Sequence, residues 1–250
     1  MSEQKTTALV TGASAGMGDE FCRQLAPRCD VIIAVARRGE RLQALAAELA
    51  GQAELHVVEA DLTTIEGVAR TLEALRQKGP VDYLINNAGF TTYGQFSNLE
   101  VQSQRDMVSL HVDASMTLCR AAIPFMRERG GGAIVNVSSI AAMLPGKGLA
   151  VYGATKAFLN AFSQSLQHEV ADTGITVQAL CPGYTRTEFH ESMQDSGFDI
   201  QRVPDEAWMS SQAVVAESLA ALGSGQVVVI PGDNNRALVR NALQQQLDAL

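Results

Sequence analysis

Seven short runs of apolar residues recur along this chain, near 6–11, 30–36, 53–60, 81–89, 131–139, 175–183 and 226–232. Segments with helical spacing lie between most of them: about Met17 to Leu25, 38–50, up to Lys78, about Ser103 to Arg129, 151–174 and 210–225. Thr63 and Glu66 read as a Thr-x-x-Glu capping box opening the third of these helices. Regular alternation of this kind predicts parallel strands joined by right-handed crossovers. The runs are apolar throughout rather than alternating, so they are expected to be buried on both faces. The fold class is therefore α/β, a single doubly wound domain over 1–250 with a seven-stranded, mostly parallel sheet and helices on both faces. The segment from Tyr184 to Met209 lacks a clear core pattern and carries Phe189, Phe198 and Trp208, so it reads as a lid or substrate loop.

Composition narrows the partners. Hydrophobic residues are 46% and charged residues 18% of the chain, enough for a large core. A net charge of −8 argues against nucleic acid or an anionic membrane as the main partner. Cys22, Cys29, Cys119 and Cys181 form no CxxC pair and read as reduced thiols of a cytoplasmic protein. His56, His111, His168 and His190 show no metal-ligand spacing, so no metal is expected. The start, MSEQKTTALVTG, carries no signal-peptide pattern, and no apolar run is long enough for a membrane span.

The first apolar run enters TGASAGMG at 11–18. Gly12 permits a tight turn, Gly16 lets backbone approach a pyrophosphate, and Gly18 lets the following helix pack closely. Ser14, Ala15 and Met17 complete the turn, and a helix N-terminus there offers free N–H groups to phosphates. After the second run stand Arg37 and Arg38, where an acidic residue would bind the ribose hydroxyls of NAD. Two guanidiniums suit a 2′-phosphate, so NADP (NADPH) is favoured and NAD is the alternative. Further on, VYGATK places Tyr152 and Lys156 four residues apart, side by side on a helix. A free tyrosine titrates near ~10, and a close cation lowers that by ~1–3 units. Ser139 ends the fifth run, at the strand edge where such sheets bind ligands.

Taken together, these motifs resemble the short-chain dehydrogenase/reductase family, and its ketoacyl reductases in particular. The resemblance covers about residues 5 to 190. It is carried by TGASAGMG, Asp61, NNAG at 86–89, Ser139, Tyr152-x-x-x-Lys156 and PGYTRT at 182–187. It implies a Rossmann fold and an oxidoreductase interconverting C=O and CH–OH groups. Tyr152 would be the acid in reduction and the base in oxidation, with Ser139 bonding the substrate oxygen. Lys156 would hold the nicotinamide ribose and lower the Tyr152 pKa. Asp61 and Leu62 would border the adenine, while Asn86, Asn87, Ala88 and Gly89 would support the sheet and line its ribose. Pro182, Gly183, Tyr184, Thr185 and Thr187 would cover the nicotinamide.

The chain departs from the family at His111, thirteen residues before Pro124, where an asparagine usually anchors a relay water. Histidine either replaces it in the relay or is a packed residue bonded to a backbone carbonyl. Phe90, Tyr93, Phe96, Met143, Leu144, Phe189, Met193 and Trp208 predict an apolar pocket for a hydrophobic carbonyl compound, with 3-oxoacyl thioesters among the candidates. The resemblance also implies a homodimer or homotetramer built on the two long helices, with Ala154, Ala157 and Ala161 on the second. Two other readings stand beside NADPH-dependent reduction: an NAD-dependent alcohol dehydrogenase working oxidatively, and a non-catalytic NADP-binding sensor.

Overall fold

A computed structural model describes residues 5–189 and 198–249. The elements run β1 (Thr7–Thr11), α1 (Gly16–Leu25), β2 (Val31–Ala36), α2 (Gly39–Leu49), β3 (Glu54–Glu59), α3 (Ile65–Lys78), β4 (Tyr83–Asn86), α4 (Val101–Val108) and α5 (Ser115–Arg129). They continue with β5 (Gly132–Val137), α6 (Ala150–Glu169), β6 (Ile175–Leu180), β7 (Thr185–Arg186), β8 (Met209–Ser210), α7 (Ser211–Ala221), β9 (Val228–Val229) and α8 (Asp233–Asp248). Seven strands form one sheet in the order β3-β2-β1-β4-β5-β6-β9, and every pairing is parallel. This is the doubly wound α/β fold expected from the alternation. The order reverses between β1 and β4, which opens a crevice at the carboxyl ends of the strands.

The apolar runs are explained by the pleat. Successive residues of a strand point to opposite faces. Ala8 and Val10 enter one core with Phe21, Leu25, Leu42, Val214 and Leu219, while Leu9 enters the other with Leu75, Leu118, Met126 and Leu166. Both faces of β1 and β2 are therefore covered by helices, and both strands are buried throughout. β3 departs from the expectation of full burial: it is an edge strand, and Glu54 and Glu59 face solvent.

Four further differences from the sequence reading have local causes. Thr64, not Thr63, caps α3, its hydroxyl accepting from Gly67 N–H at 3.0 Å. Thr63 instead donates its N–H and hydroxyl to Asp61 Oδ1, at 3.0 and 2.8 Å. The long helix before β5 starts at Val101, with Glu100 as its cap, and widens into π-type turns over Ser109–Ala114 before α5 resumes. Residue preference hardly distinguishes such turns from α, yet they recur at functional sites. The ends of the Tyr184–Met209 excursion are clipped together as β7 pairs with β8. Finally, α8 was not anticipated, because its sequence is mostly polar and buries only Asn235 and Val239.

Phe21 is fully buried between the sheet and α1. Phe21→Ala is expected to lower the unfolding free energy by ~3–5 kcal/mol in a denaturant titration. A loss below about 1 kcal/mol would mean that this face of the sheet carries little of the stability.

Candidate active site

The carboxyl ends of the strands open on one cavity of about 560 Å³. Gly12 follows β1, Arg37 and Arg38 follow β2, Asp61 follows β3, Asn87 follows β4, Ser139 follows β5 and Pro182 follows β6, each just past the carboxyl end of its strand and on the same side of the sheet. Tyr152 and Lys156 reach the cavity from α6.

The glycine turn could hold an anion. Gly12 has φ +67°, and a Cβ there would lie 2.8 Å from Asn87 Nδ2. Helix α1 begins at Gly16 after Ala15, which offers no side-chain acceptor to the first-turn N–H groups. Those groups could bind a phosphate. The turn is propped from β4: Thr11 Oγ1 accepts from the Asn87 and Ala88 N–H groups at 2.9 and 3.0 Å, and Asn87 Nδ2 donates to Thr11 O at 2.9 Å. Ser14, Ala15, Gly16 and Met17 line the cavity, as do Asp61, Leu62, Asn87, Ala88 and Gly89. Asn86 and Gly18 are not among the lining residues. Asn86 is buried beneath the floor, donating to Asn136 Oδ1 at 2.8 Å, and a side chain at Gly18 would collide with the Gly12 carbonyl.

At the other strands the reactive groups meet. Ser139 Oγ accepts from Ala141 N–H at 3.1 Å. Lys156 Nζ donates to the Val137 carbonyl at 2.7 Å and stands 5.6 Å from the Tyr152 ring centroid. Ser138 Oγ donates to Lys156 O at 2.8 Å, fixing the same helix turn to the end of β5. Burial pushes the Tyr152 phenol up to about 12, with the Ser139 hydroxyl offsetting part of the rise. Burial pushes Lys156 down to about 7. The expected lowering of Tyr152 by Lys156 is therefore absent, because desolvation dominates for both groups.

His111 lies in the π-type turns and is 1% exposed. Its Nε2 accepts from Phe90 N–H at 3.3 Å, which leaves the proton on Nδ1, 2.9 Å from Thr155 Oγ1. Thr155 Oγ1 in turn donates to the Tyr152 carbonyl at 2.8 Å. The backbone partner of His111 is thus an amide N–H rather than a carbonyl. Burial, with Lys156 nearby, holds its pKa well below the usual imidazole range, so the ring is neutral at pH 7.

Of the residues expected around the substrate, Phe90, Leu144 and Phe189 line the cavity, and Phe189 stands 6.0 Å from the Tyr152 ring. Tyr93 and Trp208 pack instead on the excursion, against Phe198 at 5.2 Å and Tyr184 at 5.4 Å. Phe96 faces a separate groove with Val108 and Phe158, and Met143 is absent from the lining. Met193 and His190 lie outside the described residues. Leu149 and Leu238 join the wall unforeseen; Leu238 comes from α8, whose pattern carried no signal. Pro182, Gly183, Tyr184, Thr185 and Thr187 also line the cavity. Among the described residues no cluster of His, Cys, Asp or Glu could hold a metal, and no helix is long and apolar enough to cross a membrane.

With this geometry in view, the chain belongs to the short-chain dehydrogenase family, whose model matches residues 6–196. It is an NAD(P)-dependent oxidoreductase of that family. A short-chain dehydrogenase from Sphingobium yanoikuyae in complex with NADPH is 33% identical, with a TM-score of 0.84 over 98% of this chain and 95% of that one. The bulky-bulky ketone specific alcohol dehydrogenase from Comamonas testosteroni is 31% identical, with a TM-score of 0.80 over 98% and 94% of the two chains. The acetoacetyl-CoA reductase of Acinetobacter sp. (strain RA3849) is 35% identical over 78% of this chain and 80% of its own length.

A neutral buried His111 has a consequence for acid stability. Its unfolded-state pKa is near ~6.5 and its folded value lies lower, so the unfolded chain binds the extra proton first. Stability is expected to be full above about pH 6.5 and to fall as pH drops below it, with His56 adding in the same direction. Melting temperature followed from about pH 7.5 to 5 should drop less steeply in His111→Asn than in wild type. Equal slopes would mean that His111 is not held neutral.

Proposed function

We propose that the chain is an NADPH-dependent reductase of hydrophobic ketones or aldehydes, with 3-oxoacyl thioesters the first class to try. The observation that carries this reading is one cavity holding Ser139, Tyr152 and Lys156 together with Arg37 and Arg38. The glycine turn would take the pyrophosphate on its N–H groups, Asp61 and Leu62 would border the adenine, and Arg37 and Arg38 would meet a 2′-phosphate. Pro182 to Thr187 and Lys156 would hold the nicotinamide end. Bound there, the cofactor supplies the hydride. Ser139 would orient the carbonyl oxygen by a hydrogen bond, and Tyr152 would give that oxygen its phenolic proton. Lys156, as the nearby cation, would stabilise the phenolate left behind until solvent returns a proton. A phenol raised to about 12 keeps its proton through neutral pH, as a proton donor must. The apolar wall of Phe90, Leu144, Leu149, Phe189 and Phe198 favours a hydrophobic substrate. The names of the Comamonas and Acinetobacter relatives, a bulky-ketone dehydrogenase and an acetoacetyl-CoA reductase, fit that class.

The described parts of the Tyr184–Met209 segment, clipped at β7 and β8, would act as the substrate-side loop of a single domain. A second copy of the chain would cover the groove of Phe96, Val108, Val112, Ala154 and Phe158, giving a homodimer or homotetramer. Val108→Asp with Phe158→Asp is expected to yield a monomer by light scattering, whereas an unchanged mass would place the interface elsewhere.

Oxidation of NADPH and NADH with a panel of hydrophobic ketones, aldehydes and 3-oxoacyl thioesters tests the reading. The expected outcome is kcat/KM at least about tenfold higher with NADPH. Because Lys156 is charged below about 7 and neutral above it, turnover should decline as pH rises through that value. Lys156→Arg keeps its charge and should carry the decline upward by about one pH unit or more. Equal use of NADH, or a profile with no decline near pH 7, would count against the cofactor assignment or the lysine's role respectively.

A further inference from the structure

We infer that Glu188 and Arg41 set the cofactor preference. The Glu188 carboxylate bridges Arg38, one of the two arginines assigned to a 2′-phosphate, and Arg41, a third guanidinium beside it, so a phosphorylated dinucleotide binds by exchanging phosphate for carboxylate. The inference rests on the NADPH reading and extends it to two residues that the motifs do not mark.

The geometry is a two-armed clamp already closed on an anion. Arg38 Nη1 donates to Glu188 Oε2 at 2.8 Å, and Arg41 Nη1 donates to Glu188 Oε1 at 2.6 Å. Arg38 Nε also donates to Ser14 Oγ at 3.2 Å, which ties the clamp to the glycine turn. Both arginines hold the Glu188 carboxyl below the usual carboxylate range, so it is an anion at neutral pH. Arg41 sits on the first turn of α2, three residues beyond Arg38, and both side chains are partly exposed. A carboxylate and a phosphate monoester present similar oxygens to a guanidinium. The two therefore compete for one pair of donors.

The neighbours of Glu188 lie on the same cavity. The Thr187 methyl is 2.9 Å from where a Cβ on Gly16 would be, and the Phe189 ring is 6.0 Å from that of Tyr152. Three consecutive residues thus touch the anion turn, the arginine pair and the phenol. A ligand with a 2′-phosphate can replace the anion it displaces. A ligand without one must leave Glu188 in place or break both of its ion pairs without replacing them. Exposed ion pairs are individually weak, so such an exchange is accessible.

The probes are 2′,5′-ADP against 5′-ADP and NADPH against NADH, titrated on wild type, Glu188→Gln, Arg41→Gln and Arg38→Gln. Glu188→Gln removes the competing charge and keeps the side chain's shape. It is expected to tighten 2′,5′-ADP and NADPH by about threefold to tenfold and to leave 5′-ADP and NADH within about twofold. Arg41→Gln is expected to weaken only the 2′-phosphorylated ligands, by about tenfold. Unchanged selectivity in both variants would overturn the inference. If selectivity is unchanged in those two variants while wild type favours 2′,5′-ADP and Arg38→Gln abolishes that preference, the inference alone fails and the NADPH reading stands. If wild type and Arg38→Gln both treat 2′,5′-ADP and 5′-ADP alike, the NADPH reading fails. A preference unmasked by Glu188→Gln would then still uphold the competition, and its absence would sink both.

Discussion

One hydrogen bond, from Lys156 Nζ to the carbonyl of Val137, joins helix α6 to the carboxyl end of the central sheet. It spans the point where β5 stops and Ser138 and Ser139 begin, and Ser138 returns a bond to the Lys156 carbonyl. The lysine is 4% exposed, and burying an amine so completely is costly unless it is paired. The carbonyl pairs it, and the shift of Lys156 toward neutrality lowers the remaining cost. Tyr152, one helical turn earlier, is thereby held against Ser139, and His111 through Thr155 fixes the same turn from the opposite side. The placing of the phenol follows from backbone anchors rather than from an ion pair.

The cavity is divided chemically along the sheet. On the β2 side it meets guanidiniums, and on the β5 and β6 side it meets a phenol, an amine and apolar rings. The crossover between β1 and β4 opens the space between them, and the glycine turn floors it. A net charge of −8 makes the local arginines the more telling, since an anionic ligand must be drawn by them against the field of the whole chain. Glu188 extends the same electrostatic logic into the protein's own chain.

Much of this was legible in the residues. Apolar runs covered on both faces predicted a parallel sheet, and the pleat of β1 shows why: Ala8 and Val10 feed one core and Leu9 the other. Positions fixed by one backbone demand, such as Gly12 and the four-residue spacing of Tyr152 and Lys156, were also readable. What escaped depended on tertiary neighbours. Thr63 and Thr64 look alike in sequence, and only Asp61 decides which one caps α3. The π-type turns at His111 and the neutrality of its ring come from packing around it. The raised phenol reflects desolvation, which spacing cannot report. Helix α8 puts Leu238 into the cavity although its own apolar pattern is thin, and Glu188 reaches arginines about 150 positions away in the chain.

The most direct measurement is NADPH oxidation followed at 340 nm with wild type and Tyr152→Phe, alongside NADPH binding to each. Loss of the phenolic proton should slow turnover by about 10²–10⁴-fold while NADPH affinity stays within about twofold. Turnover by Tyr152→Phe within about tenfold of wild type would contradict a reductase whose acid is Tyr152.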